Sequence, residues 1–175
     1  MTPLFYEAHK GGPDFVDAPA SPYYLAYDSA TRPGSSRLIE LPVSAALDRN
    51  VPAWLAHAYG RAPWPYWTKR ALRLARIATV RWLRPTYMSP DAMMALARQL
   101  VARRVPILNL LFHSSEVVPG GSPYNATAED VDAFFDRLGH FLTRVQAELG
   151  AEPLTFAEYA DRFEREMAAT AARTA

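Results

Sequence analysis

The sequence predicts an α/β domain, because a short apolar run at residues 107–112 lies between two segments with helical spacing. The run is interrupted only by Asn109 and ends at His113. A bounded run of this length is typical of a strand that is buried on both faces. The Ser, Pro and Gly residues of 114–123 favour neither helix nor strand. We therefore expect His113 where a buried strand opens into a loop, a position that often carries the chemistry of α/β folds.

Composition narrows the class of protein. The chain has 175 residues, of which 50% are hydrophobic, so it can form one domain or part of a larger one. Its net charge of +1 gives no overall field that would favour nucleic acid, and we expect no nucleic-acid partner. The absence of cysteine excludes disulfides, thiolate metal sites and a cysteine nucleophile. No targeting segment and no run of about 20 apolar residues is present, which favours a cytoplasmic location.

Three helices are predicted from capping residues and apolar spacing. The first begins at Ser89 and Pro90 and ends near Arg104. The second begins after Thr127 and stops at Gly150. Its predicted apolar stripe is Val131, Phe134, Phe135, Leu138, Phe141, Leu142, Val145 and Leu149. His140, also on this helix, is interpreted as a surface or packed histidine.

The last helix opens at Thr155, with Glu158 in the capping-box position. It is predicted to bury Phe156, Tyr159, Phe163 and Met167. Residues 168–175 are rich in Ala and Thr, and we expect this tail to fray.

The segments before the first helix are less regular. Frequent Pro and Gly predict an irregular loop over residues 1–36, whose aromatic residues favour packing on a body. Residues 37–44 read as a short strand that ends at Pro42 and places Glu40 among apolar neighbours. A solvated edge is the commoner environment for such a glutamate, and an active-site role is the alternative.

Residues 51–83 have the pattern of two helical pieces, with Trp64 in the Pro-containing segment that divides them. Arginines are spaced along residues 70–84. Aromatic residues beside basic ones fit three roles: stacking on sugar rings, contact with an anionic membrane surface, or simple packing of a helical hairpin. Packing is favoured, since aromatic residues are core material first.

Conventional active-site signatures are largely missing. The sequence has no pair of histidines at helical zinc spacing, no nucleophile elbow and no phosphate-binding glycine loop. Function therefore has to be sought from the order of several shorter motifs.

Five such motifs occur in this order: HKGGPDFVDAP, SPYY, RLIELPVS, LNLLFHSSEVVPGGSPY and LTFAEYA. Together they resemble the C-terminal half of bacterial polysaccharide deacetylases of the NodB-homology type, particularly a branch associated with surface polysaccharides. The resemblance implies a partial (β/α) barrel that lacks its N-terminal strands and carries extra helices between the strands. It also implies hydrolysis of the N-acetyl group of a polysaccharide or oligosaccharide.

The resemblance also assigns candidate residues. His113 matches the histidine that protonates the departing amine, and an imidazole suits this role because it exchanges protons near neutrality. Glu40 falls where the family often has an acid that orients this histidine. Tyr124 and Pro123 are expected to border the sugar. Trp64 and Tyr24 are candidates for binding it in the alternative of a carbohydrate-binding domain.

The family's catalytic base and metal ligands would lie earlier than this sequence begins, and His9 has no partner for such a site. A divalent metal is expected for the complete family member, whereas no metal ligands are assigned in this chain. Residues 1–175 are thus expected to form a single domain that is the C-terminal part of a larger barrel, or a shortened relative, inactive alone. The alternatives are a non-catalytic carbohydrate-binding domain and an accessory domain that contacts membranes through residues 70–84.

Overall fold

The computed structural model describes residue 15 and residues 18–47 and 79–174. Within these residues the chain forms short strands, α-helices and one 3-10 helix. In chain order they are β1 (Tyr23–Ala26), β2 (Ser29–Pro33), β3 (Ile39–Glu40), β4 (Ala45–Leu47), β5 (Val80–Trp82), α1 (Pro90–Ala102), the 3-10 helix (Ser114–Val117), α2 (Ala128–Leu149) and α3 (Phe156–Thr174).

The strands form two small antiparallel sheets. One has the order β2-β1-β3, with Tyr23 opposite Glu40, and the other pairs β4 with β5. The prediction of a mixed α/β fold is confirmed. The described residues form no closed barrel, and a partial barrel is not confirmed.

The prediction of a fully buried strand at residues 107–112 is wrong. The segment has neither helical nor strand conformation, and its residues are half-buried. It is nevertheless hydrogen-bonded to its neighbours. The Asn109 oxygen accepts from the Ser44 backbone N–H at 3.3 Å, and the Leu111 N–H donates to the Leu83 oxygen at 3.1 Å. These bonds alternate between two neighbouring segments, so the run lacks the continuous ladder to one partner that defines a strand.

The prediction of an irregular loop over residues 1–36 is wrong for residues 23–33, which form β1, a turn and β2. Pro22 precedes β1 and Pro33 ends β2, so prolines bound the hairpin instead of interrupting it. Tyr27 and Asp28 form the turn, and the Arg32 guanidinium pairs with Asp28 at 2.7 Å across it. Residues 1–14 lie outside the described part of the chain.

The helical prediction for residues 51–83 fails at its C-terminal end, where the structure has β5. Pairing of Val80 with Leu47 and of Trp82 with Ala45 gives this segment a strand conformation, since sheet partners override a local helical pattern. Arg81 lies on the strand and Arg84 is buried, with 7% of its surface exposed. A basic helical face that ends at residue 84 is therefore not formed. The remainder of that prediction, residues 51–78, falls outside the described residues.

The predicted boundaries of α1 and α2 are confirmed. The Ser89 hydroxyl accepts from the Ala92 N–H at the start of α1. The Thr127 hydroxyl caps α2, which ends at Gly150 in the left-handed conformation with φ of 65°. Only glycine adopts that conformation without strain.

The predicted cap of α3 is confirmed as well, because the Thr155 N–H donates to Glu158 at 2.7 Å. Its predicted buried face is wrong in part. Phe156 is 71% exposed and Met167 is 45% exposed. Helix α3 meets the sheet through the Phe163 ring, which contacts Tyr24, so only the side of the helix near that contact is covered. Residues 168–174, the predicted frayed tail, continue the helix.

The core lies between α1, α2 and the β4-β5 sheet. Its buried members are Ala46, Leu83, Met88, Met93, Met94, Leu96, Ala97, Leu100, Phe141 and Val145. The α2 stripe is only partly covered, because Phe135 and Leu142 are 49% and 41% exposed. None of the helices in the described ranges is long and apolar enough to cross a membrane.

Candidate functional site

His113 lies at the end of residues 107–112, where two contacts fix the chain. The neighbouring Phe112 ring packs against the fully buried Phe134 of α2, with ring centroids 5.3 Å apart. Leu111, the residue before Phe112, donates its backbone N–H to the Leu83 oxygen. His113 itself is exposed and is the residue that precedes the 3-10 helix. Solvent therefore reaches a histidine whose backbone is held by packing on one side.

A buried carboxylate binds the backbone N–H of His113. Glu116, with none of its surface exposed, accepts a hydrogen bond from the His113 backbone N–H at 3.2 Å. The same carboxylate oxygen accepts from the Arg84 guanidinium, and the second oxygen accepts from the Thr86 hydroxyl. The Asn125 side-chain amide, also buried, donates to the Glu116 backbone oxygen. We call Arg84, Thr86, Glu116 and Asn125 the buried polar cluster.

These contacts decide the charge of Glu116. Burial acts to raise the pKa of its carboxyl, but hydrogen bonds from Thr86, the His113 N–H and Arg84, together with the Arg84 charge, outweigh burial and lower it. Glu116 is thus a carboxylate at neutral pH, paired with a guanidinium that is itself buried. A buried pair of this kind costs desolvation, and such networks often fix the geometry of a functional site.

Two exposed tyrosines adjoin the buried polar cluster. The rings of Tyr87 and Tyr124 meet at 78°, with centroids 5.3 Å apart, and the Arg84 guanidinium lies 4.7 Å from the Tyr87 centroid and 5.7 Å from that of Tyr124. A hydrogen bond with the Tyr124 side chain is the main reason that the pKa of the Tyr87 hydroxyl is raised. We call these two residues the aromatic corner.

The loop that carries Tyr124 is shaped by a turn. The Gly121 N–H donates to the Val118 oxygen at 2.9 Å, and Gly120 has φ of 71°. Pro119 followed by a glycine with positive φ is the pattern of a type II turn. A Cβ at Gly121 would lie 2.6 Å from the Ser115 oxygen. The glycine therefore lets the loop close directly onto the 3-10 helix.

The structure places the other predicted site residues elsewhere or at the edge of this site. Glu40 lies opposite Tyr23 on β3, and burial of Tyr23 and the charge of Glu40 raise the pKa of the Tyr23 hydroxyl. The carboxylate that accepts a hydrogen bond from the His113 backbone N–H belongs to Glu116. The proposed role of Glu40 in orienting the His113 ring stays a prediction. The Tyr24 ring packs against Phe163, 5.2 Å between centroids.

Pro123 is exposed beside Tyr124 in the loop. Trp64 lies outside the described residues, and its predicted role in sugar binding stays a prediction.

The resemblance assigns no metal ligands to this chain. Over residues 18–47 and 79–174, no three His, Asp or Glu side chains stand together as metal ligands. The divalent metal expected for the complete family member stays a prediction.

A separate cleft in this part of the chain lies away from His113. Its volume is about 600 Å³, and it runs between residues 105–110, α2 and the start of α3. Its walls are mainly apolar, with Phe141, Leu149 and Phe156 among them, and neither His113 nor the aromatic corner lines it. We place the candidate site at the corner because charged, hydrogen-bonded and aromatic groups converge there.

His113 and Tyr124 are predictable from the sequence, whereas Arg84, Glu116 and Tyr87 are not among the predicted site residues. The arginine spacing over residues 70–84 places Arg84 with a basic helix, although it begins the non-helical sequence RPTYMS. That proline was the available signal, because the residue before a proline is disfavoured in a helix. Glu116 follows His113 by three residues, which is capping spacing.

Comparison with known proteins gives no relative. No protein-family model, curated protein or solved structure matches this sequence.

Proposed function

We propose that this chain acts in the hydrolysis of the N-acetyl group of a surface carbohydrate, as the C-terminal part of a polysaccharide deacetylase. His113 would be the general acid. The observation that carries the proposal is an exposed histidine whose backbone N–H is bound by a fully buried carboxylate. The Arg84 partner of that carboxylate lies against two exposed tyrosines. The partial (β/α) barrel expected from the resemblance belongs to the same proposal.

The chemistry asked of His113 is the transfer of one proton. When water adds to the acetamide carbonyl, the C–N bond breaks only if the nitrogen leaves as a neutral amine, and a protonated imidazole supplies the proton that this requires. A positioned acid of this kind contributes about 10² to 10⁴ in rate. Anchoring through Phe112 and Glu116 favours this role, because a general acid must be held within hydrogen-bond reach of the leaving atom.

The remaining chemistry is assigned to groups of the complete family member that are not in this chain. A catalytic base and divalent metal are expected for the complete family member, and the chain is proposed to be inactive without them. The Glu116 carboxylate is not proposed as that base, since both of its oxygens accept hydrogen bonds from Arg84, Thr86 and the His113 N–H.

The test compares two exposed histidines. Wild type, His113→Ala and His140→Ala are assayed for acetate release from an oligosaccharide of N-acetylglucosamine with added divalent cation. The assay uses both the 175-residue chain and the product of the complete reading frame. We expect His113→Ala to reduce turnover of the complete product at least about 100-fold, and His140→Ala, which alters an exposed position on α2, to leave it unchanged.

Equal rates for the two variants would refute the role of His113. An in-frame stop codon immediately upstream of Met1, combined with no acetate release by the 175-residue chain, would refute the enzymatic proposal as a whole.

The second candidate is a non-catalytic carbohydrate-binding domain. The exposed aromatic corner favours it, because it provides a binding surface that needs no metal and no base. Binding of the oligosaccharide with no acetate release from either form of the protein would support this candidate over the first.

A further inference from the structure

We propose that the aromatic corner is the subsite on which a pyranose ring of the carbohydrate stacks, with Arg84 and Glu116 as the residues that position it. This inference rests on the proposed function, because it names the part of the chain that would hold the sugar beside His113. Tyr87 is the new contact residue, since neither the sequence motifs nor the resemblance pointed to it.

The exposure of the corner is the first argument. Tyr87 is 57% exposed and Tyr124 is 46% exposed, although the two rings contact one another at 5.3 Å. Two large rings that pack together normally bury most of their surface in a core, so a pair that stays this exposed leaves apolar surface for another molecule. The angle of 78° sets the rings nearly at right angles, as two walls of a corner.

The inner side of the corner is already occupied. The Arg84 guanidinium lies against both rings, 4.7 Å and 5.7 Å from their centroids, and is itself buried. A cation against one face of an aromatic ring is attracted by the ring's negative face and fixes its orientation. A ligand can therefore contact only the ring surface that Arg84 and the neighbouring ring leave exposed.

The charge of the corner points to a neutral ligand. Glu116 pairs with Arg84, so the positive charge behind the rings is balanced within the protein. An anionic ligand would gain little from a guanidinium that is both buried and paired. A pyranose fits better, because its ring carbons present an apolar face to an aromatic ring while its hydroxyls point outward to polar groups and water.

The corner and His113 share one support. Glu116 accepts from Arg84 behind the rings and from the His113 backbone N–H, and Asn125, next to Tyr124, donates to the Glu116 backbone oxygen. Any sugar that stacks on the corner is thus held relative to His113 by a single buried cluster. This arrangement is what positioning of a substrate against a general acid requires.

The test measures binding of the tetramer of N-acetylglucosamine to the 175-residue chain by titration calorimetry and saturation-transfer NMR. We expect Tyr87→Ala and Tyr124→Ala each to weaken binding by about threefold to tenfold, the contribution of one aromatic contact. Tyr87→Phe keeps the ring and should bind like wild type. The matched control is Tyr27→Ala, which removes a tyrosine that is 84% exposed in the β1-β2 turn.

Thermal unfolding of each variant shows whether a loss of binding reflects a loss of fold. If Tyr87→Ala is unfolded, Tyr87→Leu replaces it, since leucine keeps apolar volume without a ring face. The expected result for Tyr87→Leu is the same weakening relative to Tyr87→Phe.

Three results would overturn the inference. They are equal affinity for the variants at 87, 124 and 27, no binding of the tetramer by wild type, and tighter binding of a proline-rich peptide through the same tyrosines. The inference and the proposed function fail separately. Tyrosine-dependent binding with equal acetate release by His113→Ala and His140→Ala removes the function and keeps the subsite, and the opposite pattern removes the subsite alone.

Discussion

At the scale of single residues, the Glu116 side chain makes hydrogen bonds with more residues of the candidate site than any other side chain described above. It accepts from the side chains of Arg84 and Thr86 and from the backbone of His113. Arg84 and Thr86 lie about 30 residues before Glu116 in sequence, whereas His113 is three residues away. This carboxylate therefore links the loop after β5 to the loop before α2. Buried carboxylates with this many charge-assisted bonds are costly to alter.

Glu116→Gln should destabilise the chain markedly at neutral pH, because it leaves the Arg84 guanidinium buried without its counter-charge. Removal of one partner from a buried ion pair typically costs about 3–5 kcal/mol in the free energy of unfolding. Urea unfolding monitored by tryptophan fluorescence measures this difference. Glu164→Gln on α3 is the control, since it changes the same functional group at an exposed position.

The same variant has a predicted pH dependence. The pKa of Glu116 in the folded chain lies below its ordinary value of 4.5. The stability that this lowering provides is fully present above the ordinary value and is lost as pH falls through the folded-state value. The difference between wild type and Glu116→Gln should therefore shrink below about pH 4.5. A difference that stays constant from pH 7 to pH 3 would contradict the ion pair.

At the scale of elements, the helix ends follow directly from local chemistry. The Thr127 hydroxyl accepts from the Asp130 N–H at 3.2 Å, and Asp130 accepts from the Thr127 N–H at 3.0 Å. This reciprocal pair satisfies two N–H groups that have no partner inside the helix. The strands were less predictable, because β3 has only two residues and β5 only three, and such short strands depend on their partners.

Thr127→Ala should lower the stability of the chain by about 1 kcal/mol, because it removes the capping oxygen at the start of α2. Thr127→Ser retains that oxygen and should behave like wild type within a few tenths of a kcal/mol. Thermal unfolding by circular dichroism compares the two. If serine and alanine destabilise equally, the methyl group of Thr127 and not its hydroxyl is the important part.

At the scale of the whole molecule, residues 107–112 connect the sheet region to the helices. The Asn109 amide donates to the Leu41 oxygen at 3.0 Å, and its N–H donates to the Ser44 hydroxyl at 2.7 Å. The Phe112 ring packs on α2 at the other end. These contacts explain why a polar residue interrupts the apolar run. The Asn109 amide donates to backbone oxygens of residues 41 and 42, which regular strand pairing would otherwise have satisfied.

Asn109→Leu should destabilise the chain by about 1–3 kcal/mol, since it leaves half-buried carbonyl oxygens at residues 41 and 42 without a donor. Gln146→Leu introduces the same side chain in place of an exposed amide on α2, and should change stability by less than about 0.5 kcal/mol. Equal urea midpoints for the two variants would show that the Asn109 bonds contribute nothing.

The sequence by itself determined the three helices and most of their ends, because caps and apolar spacing act over four or five residues. It also marked His113 as the place where an apolar run gives way to a loop. Tertiary structure decided that residues 80–82 form a strand, that 107–112 does not, and that Arg84 reaches Glu116 beneath the aromatic corner. Those outcomes depend on partners about 30 or more residues away in sequence, whose approach no local pattern encodes.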